Sequence, residues 1–258
     1  MNSIINLIVN KFSFFPHNKF RIPFAEWPNY ASEKWIKTPD NENLQAIYFE
    51  HSNLKSDDLI IYFHGNTGNM FSHNRFDHAD DFYKLGPNVL LISYRGFSKS
   101  TGSPSERGIY LDGETALNYA NNILNYDNKN IFIFGRSLGT TVATHISQNR
   151  TFKGIVLITP ISNAKEMAKT MGFKRVSFLV KNVFNSLQKV KKLKSKLLII
   201  VGTLDKVTPP EMGIKLFEKF KGQKQLITIE KGGHNNLQLM ESEKFWNGIN
   251  IFVNKQNP

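Results

Sequence analysis

The run Ile131-Phe-Ile-Phe-Gly-Arg-Ser137-Leu-Gly139-Thr-Thr-Val-Ala143 constrains this chain more than any other stretch. Four apolar residues of strand type end at Gly135, a serine stands two residues on, and a second glycine two residues beyond that. Thr140 to Ile146 then continues with helical character. The pattern reads as strand, sharp turn and helix, with Ser137 at the apex. Gly135 and Gly139 carry no Cβ, so strand and helix backbones can approach closely around a strained serine. The five-residue G-x-S-x-G spacing is common by itself, and the strand before it and the helix after it are what give it weight.

The rest of the chain repeats the same alternation. Leu59-Ile-Ile-Tyr-Phe63, Val89-Leu-Leu-Ile-Ser-Tyr94, Phe152 to Ile158 and Leu197-Leu-Ile-Ile-Val201 are continuous apolar runs, suited to strands buried on both faces. Leu44 to Glu50 alternates and reads as a strand with one exposed face. A short strand near Lys34–Lys37 and a last one over Gln225–Ile229 complete the set. Helices are expected at about Met70–Leu85, from a Ser105 cap to about Leu124, from Pro209-Pro210 to about Phe220, and at Glu243–Asn254. Strands alternating with helices imply right-handed crossovers. The expected fold is α/β: a mostly parallel central sheet of about eight strands with helices on both faces. One domain spanning 1–258 is expected, with residues 1–43 as an aromatic- and proline-rich lead-in and 161–196 as a short helical cap.

Composition narrows the function classes. The chain has no cysteine, which excludes disulfides, thiolate catalysis and cysteine-bound metal. Lys and Arg number 33 against 21 Asp and Glu, a net charge of +12, which favours anionic partners. The charge concentrates in 161–196, with ten basic residues against the single acid Glu166 and Phe173, Phe178, Leu179 and Phe184 interleaved. Two readings are open for this segment, contact with an anionic membrane or a solvated face of ordinary cap helices. No nucleic-acid motif accompanies it, so no nucleic-acid partner is expected. The opening residues 1–12 are apolar but fall short of the ~20 needed to span a bilayer. They lack the basic start and small-residue site of a signal peptide. They read as a segment docked on the protein's own surface, with a peripheral membrane contact as the alternative, and the expected location is cytoplasmic. His73, His78, Asp77, Asp80 and Asp81 share a predicted helix and read as its solvated face. No metal and no cofactor are expected.

The chemistry-bearing residues fall just past strand ends, where sheets of this type hold their functional groups. A serine hydroxyl becomes a nucleophile when a histidine takes its proton and a carboxylate fixes that histidine's tautomer. After Ser137 the histidines are His145, inside the elbow's own helix, and His234, in a loop behind two glycines. His234 is therefore the expected base. Asp205, just past a buried strand, is the expected acid. Its alternative role is a helix cap, and Glu230 is a rival placed too close to His234 in sequence. Two backbone N–H groups should face the developing oxyanion: that of Leu138, and that of Asn66 in the turn His64-Gly65-Asn66. His64, Gly65, Tyr94, Arg95, Gly135 and Gly139 read as supports for these loops.

Five motifs in order carry a family resemblance: His64-Gly-Asn-Thr-Gly-Asn69, Tyr94-Arg-Gly-Phe-Ser98 with Gly102-Ser-Pro-Ser105, Gly135-Arg-Ser-Leu-Gly139, Gly202-Thr-Leu-Asp205 and Gly232-Gly-His-Asn235. Over about Phe14 to Phe252 the chain resembles an α/β-hydrolase of the Bem46-like group. The resemblance implies a triad of Ser137, Asp205 and His234, in agreement with the residue-level reading. It implies a cofactor-independent serine hydrolase acting on a small or lipid-like acyl ester or thioester. A peptidase similar to the prolyl-oligopeptidase group and a non-catalytic binding module are the alternatives. Thr140 departs from the family, standing where many members have glycine, and is expected to narrow the pocket. Lys196 stands where proline is frequent. Palmitoyl-protein thioesterases of the group carry a cysteine-rich N-terminus, so their substrate does not transfer to a chain without cysteine.

Overall fold

A computed structural model describes residues 10–17, 27–51, 56–71, 75–180 and 183–254. Residues 1–9 and His73, on which two of the expectations above rest, lie outside the described residues. The backbone clusters into two compact units, Met1–Ile131 and Phe132–Pro258.

The first unit contains β1 (Ala31–Lys37), β2 (Asn43–Phe49), β3 (Leu59–Phe63) and β4 (Asn88–Ile92), in spatial order β3-β4-β2-β1. β3 runs parallel to β4, β2 antiparallel to β4, and β1 antiparallel to β2 with Ala31 opposite Phe49 and Lys37 opposite Asn43. β3 and β4 are buried throughout, as their apolar runs require, and the one polar residue of β4, Asn88, accepts from His51 N and donates to the Tyr126 hydroxyl. β2 differs from expectation: its alternating pattern suggested an exposed face, yet only Asn43 is exposed. Its polar residue Gln45 is buried because its amide is used, donating to Glu33 Oε1 at 2.5 Å and accepting from Lys99 N at 3.1 Å. A buried polar group with both ends bonded reads in sequence like a solvent-facing one. Helix α1 spans Arg75–Tyr83, a shorter stretch than the sequence suggests. Helix α2 spans Glu106–Asn122 and is capped by Ser105, whose Oγ accepts from Gly108 N at 3.0 Å.

The second unit holds β5 (Ile131–Arg136, which begins one residue earlier), β6 (Gly154–Ile158), β7 (Leu197–Gly202) and β8 (Lys224–Ile229), all parallel and in that order. β5, β6 and β7 are buried along their whole length. Helix α3 is Gly139–Ile146 and α6 is Pro210–Lys219; after α7 (Leu237–Met240), which the sequence reading misses, α8 runs over Ser242–Asn254. α6 lies on the face of Ile199 and Val201, where Gly213 touches both side chains. α8 lies on the opposite face, since its Gly248 meets Ile227, the register partner of Ile200. Between β6 and β7 the expected one or two cap helices are four short pieces: α4 (Ala164–Thr170), a 3-10 stretch Lys174–Val180, α5 (Ser186–Lys189) and a 3-10 turn Val190–Lys192. Gly172, at φ +89°, ends the first, and Asn163 and Asn185 cap α4 and α5 through their side-chain oxygens. Among the described residues no helix is long and apolar enough to cross a membrane.

Candidate active site

Ser137 follows β5 directly and has φ +52°, a left-handed conformation that is costly for a residue with a Cβ. The turn closes because Gly135 is bare: a Cβ there would stand 2.5 Å from Gly139 O and 2.8 Å from Thr140 Cα. Ser137 N donates to Ile158 O at 2.9 Å, which ties the apex to the end of β6. The Thr140 hydroxyl donates to Ser137 O at 2.6 Å and accepts from Ile161 N at 3.1 Å. The residue that departs from the family is thus a fully buried brace between the elbow and the start of the cap.

The serine is joined to two residues from later loops. His234 Nε2 lies 3.0 Å from Ser137 Oγ, and His234 Nδ1 lies 2.8 Å from Asp205 Oδ2. With Asp205 ionised, Nδ1 carries the proton and donates it to the carboxylate. Nε2 is then free to accept from the serine hydroxyl. The Asp205 side chain is almost fully buried and that of His234 is partly open. Burial pushes the Asp205 carboxyl up, but hydrogen bonds from His234 and Thr208 outweigh it and hold the group below the ordinary carboxylate value. Its two oxygens divide the work. Oδ1 accepts from Val207 N and Thr208 N, both at 2.9 Å, closing a local turn, while Oδ2 faces His234. The helix-cap alternative therefore fails as stated, because the residue capping α6 is Pro209. Glu230, the rival acid, is exposed, and its amide bonds Glu241.

Two contributors were not visible in the sequence. Thr208 Oγ1 lies 2.9 Å from Asp205 Oδ2, 3.1 Å from His234 Nδ1 and 3.2 Å from Thr159 O. The buried Arg136, inside the elbow motif, donates to His234 O at 2.9 Å and holds the histidine loop by its backbone. The signal for Thr208 was its place at the end of the turn that Asp205 closes through the Val207 and Thr208 amides. Nothing local marked Arg136. Gly202 and Gly232 bring the end of β7 and the histidine loop together, since a Cβ on Gly202 would collide with Gly232 O. His145 stays in α3, and burial, then the charges of Lys189 and Arg150, lower it to about 4.

The remaining expected site residues are found as follows. Leu138 is buried just ahead of α3, and the Thr140 and Thr141 amides at the start of that helix donate to Ser137 O at 3.0 Å and Leu138 O at 2.9 Å. In the first unit, Asn66 sits in the turn after β3 and its carbonyl accepts from Phe15 N. Arg75 straps this turn through Thr67 O and Asn69 O. His64, fully buried, bonds Gly65 O through Nδ1 at 2.7 Å and packs on Tyr94 and Phe97. Burial, then the charge of Arg75, pushes its pKa well below 6.5, so it is a neutral prop for the loop and carries no charge near neutral pH. Tyr94 donates from its hydroxyl to His64 O at 3.0 Å. Arg95 bridges Asp112 and Asp40. Among the described residues no group of three or more His, Asp or Glu side chains is placed to hold a metal ion.

Comparison with known proteins agrees with this architecture. The α/β-hydrolase fold family model matches residues 58–180. A solved esterase, Pf2001 of Pyrococcus furiosus, superposes with a TM-score of 0.76 over 93% of this chain and 97% of its own, at 20% identity, a likeness of fold alone. In sequence the chain is 31% identical to protein bem46 of Schizosaccharomyces pombe, covering 78% of this chain and 70% of that protein. It is 24% identical to human alpha/beta hydrolase domain-containing protein 17B, over 83% of this chain and 75% of that one. The protein belongs to the α/β-hydrolase superfamily and, within it, to the Bem46-like group.

Proposed function

We propose that this protein is a serine hydrolase of carboxylic esters or thioesters that works through an acyl-enzyme on Ser137. The observation that carries the reading is the unbroken relay from Asp205 through His234 to Ser137 Oγ, ending on a serine held at positive φ. His234 Nε2 takes the hydroxyl proton as Oγ attacks the acyl carbonyl. Asp205 holds the resulting imidazolium, and the Leu138 amide faces the oxyanion. As the tetrahedral adduct collapses, the bond from carbon to the leaving oxygen or sulfur breaks and His234 returns the proton to the departing alcohol or thiol. Water, deprotonated by the same histidine, then attacks the acyl carbonyl, frees the acid and restores Ser137. The esterase fold neighbour and the Bem46-like relatives support this reaction class.

The test pairs Ser137→Ala with p-nitrophenyl esters of increasing chain length and a fluorophosphonate probe. The variant should keep its fold, lose labelling and lose at least ~1,000-fold in kcat. Retained labelling or turnover would remove Ser137 from the reaction. Peptide amides in the same panel should be turned over far more slowly than esters.

A further inference from the structure

The second unit exposes nine large apolar side chains strongly among its described residues, and four of them, Met171, Phe173, Phe178 and Leu179, fall in one short stretch between β6 and β7. Met171, Phe173, Phe178 and Leu179 follow β6, and Phe178 is 63% exposed. Leu204 and Val207 flank Asp205 after β7, and α7, after β8, adds Leu239 and Met240. Exposed apolar groups concentrated in one segment mark a contact surface, whereas singly scattered ones do not.

Charge selects the partner. Lys169, Lys174 and Arg175 are exposed and alternate with the apolar side chains of the same segment. The segment's single acid is already engaged: Glu166 accepts from Lys215 at 2.6 Å and from Ser162 at 2.6 Å. Protein interfaces exclude lysine from their apolar centres. Lysine and arginine interleaved with Phe and Leu is the pattern of a surface that lies in the headgroup layer of a membrane. We infer that residues 164–180 dock this protein on an anionic bilayer, with Lys169, Lys174 and Arg175 on lipid phosphates and Phe173, Phe178 and Leu179 at the acyl-chain boundary. This goes beyond the reaction proposed above and does not depend on it, because no docking residue belongs to the relay.

The test is co-sedimentation of the full chain with vesicles of phosphatidylcholine alone or with phosphatidylserine added. Two double variants accompany it, Lys174→Gln with Arg175→Gln and Phe178→Ser with Leu179→Ser, each checked for an unchanged melting temperature. The parent should prefer the anionic vesicles by at least ~10-fold. The charge variant should lose about 30-fold in binding, and the apolar variant about tenfold. Ser137→Ala should bind like the parent, so a failed hydrolase reading leaves this result intact. Equal binding to both vesicle types overturns the inference. So does parent-like binding by both double variants, which would put any contact elsewhere in the chain. A concentration-dependent dimer that the Phe178→Ser pair dissolves would also overturn it, by assigning the surface to a second copy.

Discussion

Thr208 shows how much of a relay rests on one hydroxyl. Asp205 keeps its two backbone donors whatever stands at 208, so removing the hydroxyl leaves the turn closed and loosens only the oxygen that faces His234. Thr208→Val should therefore lower kcat on esters by about tenfold, the size of one hydrogen bond to a charged group, with KM little changed. Thr208→Ser should restore most of the rate. A pH readout separates positioning from general damage. Asp205 lies below its ordinary 3.8 when folded, so its contribution to stability is complete above that value and is lost as pH falls through the depressed one. Without the Thr208 hydroxyl the folded value moves back toward 3.8, and the acid limb of the melting-temperature profile should shift to higher pH. An unchanged acid limb together with an unchanged kcat would show that Thr208 does not act on Asp205.

At the scale of elements, the connection after β4 is held by an ionic triad in which Arg95 and Asp112 are buried and Asp40 is exposed. The guanidinium of Arg95 lies between Asp40 and Asp112, and Asp112 is fully buried, accepting from Arg95 N, Nε and Nη2 at 2.8–2.9 Å. Burial raises Asp112 to about 6 even against these bonds. A raised carboxyl favours the fold in its protonated form, so that contribution is full below 3.8 and gone above about 6. Arg95→Met would leave the buried carboxylate unpaired at neutral pH and should cost about 3–5 kcal/mol. The deficit relative to the parent should shrink as the pH is lowered from 8 to 5 and Asp112 takes up a proton. Thermal melts at the two pH values measure it, and a deficit independent of pH would mean that Asp112 is not the group left stranded. The tyrosine and arginine of this loop were recognisable in sequence as supports, but Asp112 was not, because it lies mid-helix in a polar stretch. The same holds for β2, where Gln45 imitates an exposed position. Elements whose signal is local were legible: the continuous apolar strands, the Ser105 cap and the glycine-pinched elbow. What escaped depends on pairing across long sequence separations, as with Arg136 reaching His234, 98 residues away.

For the molecule as a whole, the order of chemical groups along the chain was legible because a parallel sheet turns sequence order into spatial order. In the second unit each strand end delivers its loop to the same edge, so a serine after β5, an aspartate after β7 and a histidine after β8 converge with no local hint of their meeting. Charge is the one global property the sequence states outright, and it has its own consequence. A net charge of +12 produces a positive field that draws in anionic molecules before any contact forms. If the protein hydrolyses esters as proposed, kcat/KM for a carboxylate-bearing ester such as 4-acetoxybenzoate should fall severalfold as salt rises through ~0.1 M, where the screening length contracts to ~10 Å. A neutral acetate ester of similar size should show no such fall, since the field exerts no net pull on it. The ratio of the two rates removes general effects of salt on the enzyme. Parallel salt dependence for both esters would show that the positive charge is spent away from the approach to Ser137. A decline confined to the anionic ester, and weakened in the Lys174→Gln, Arg175→Gln chain, would place the cap's basic residues on the path by which substrate arrives.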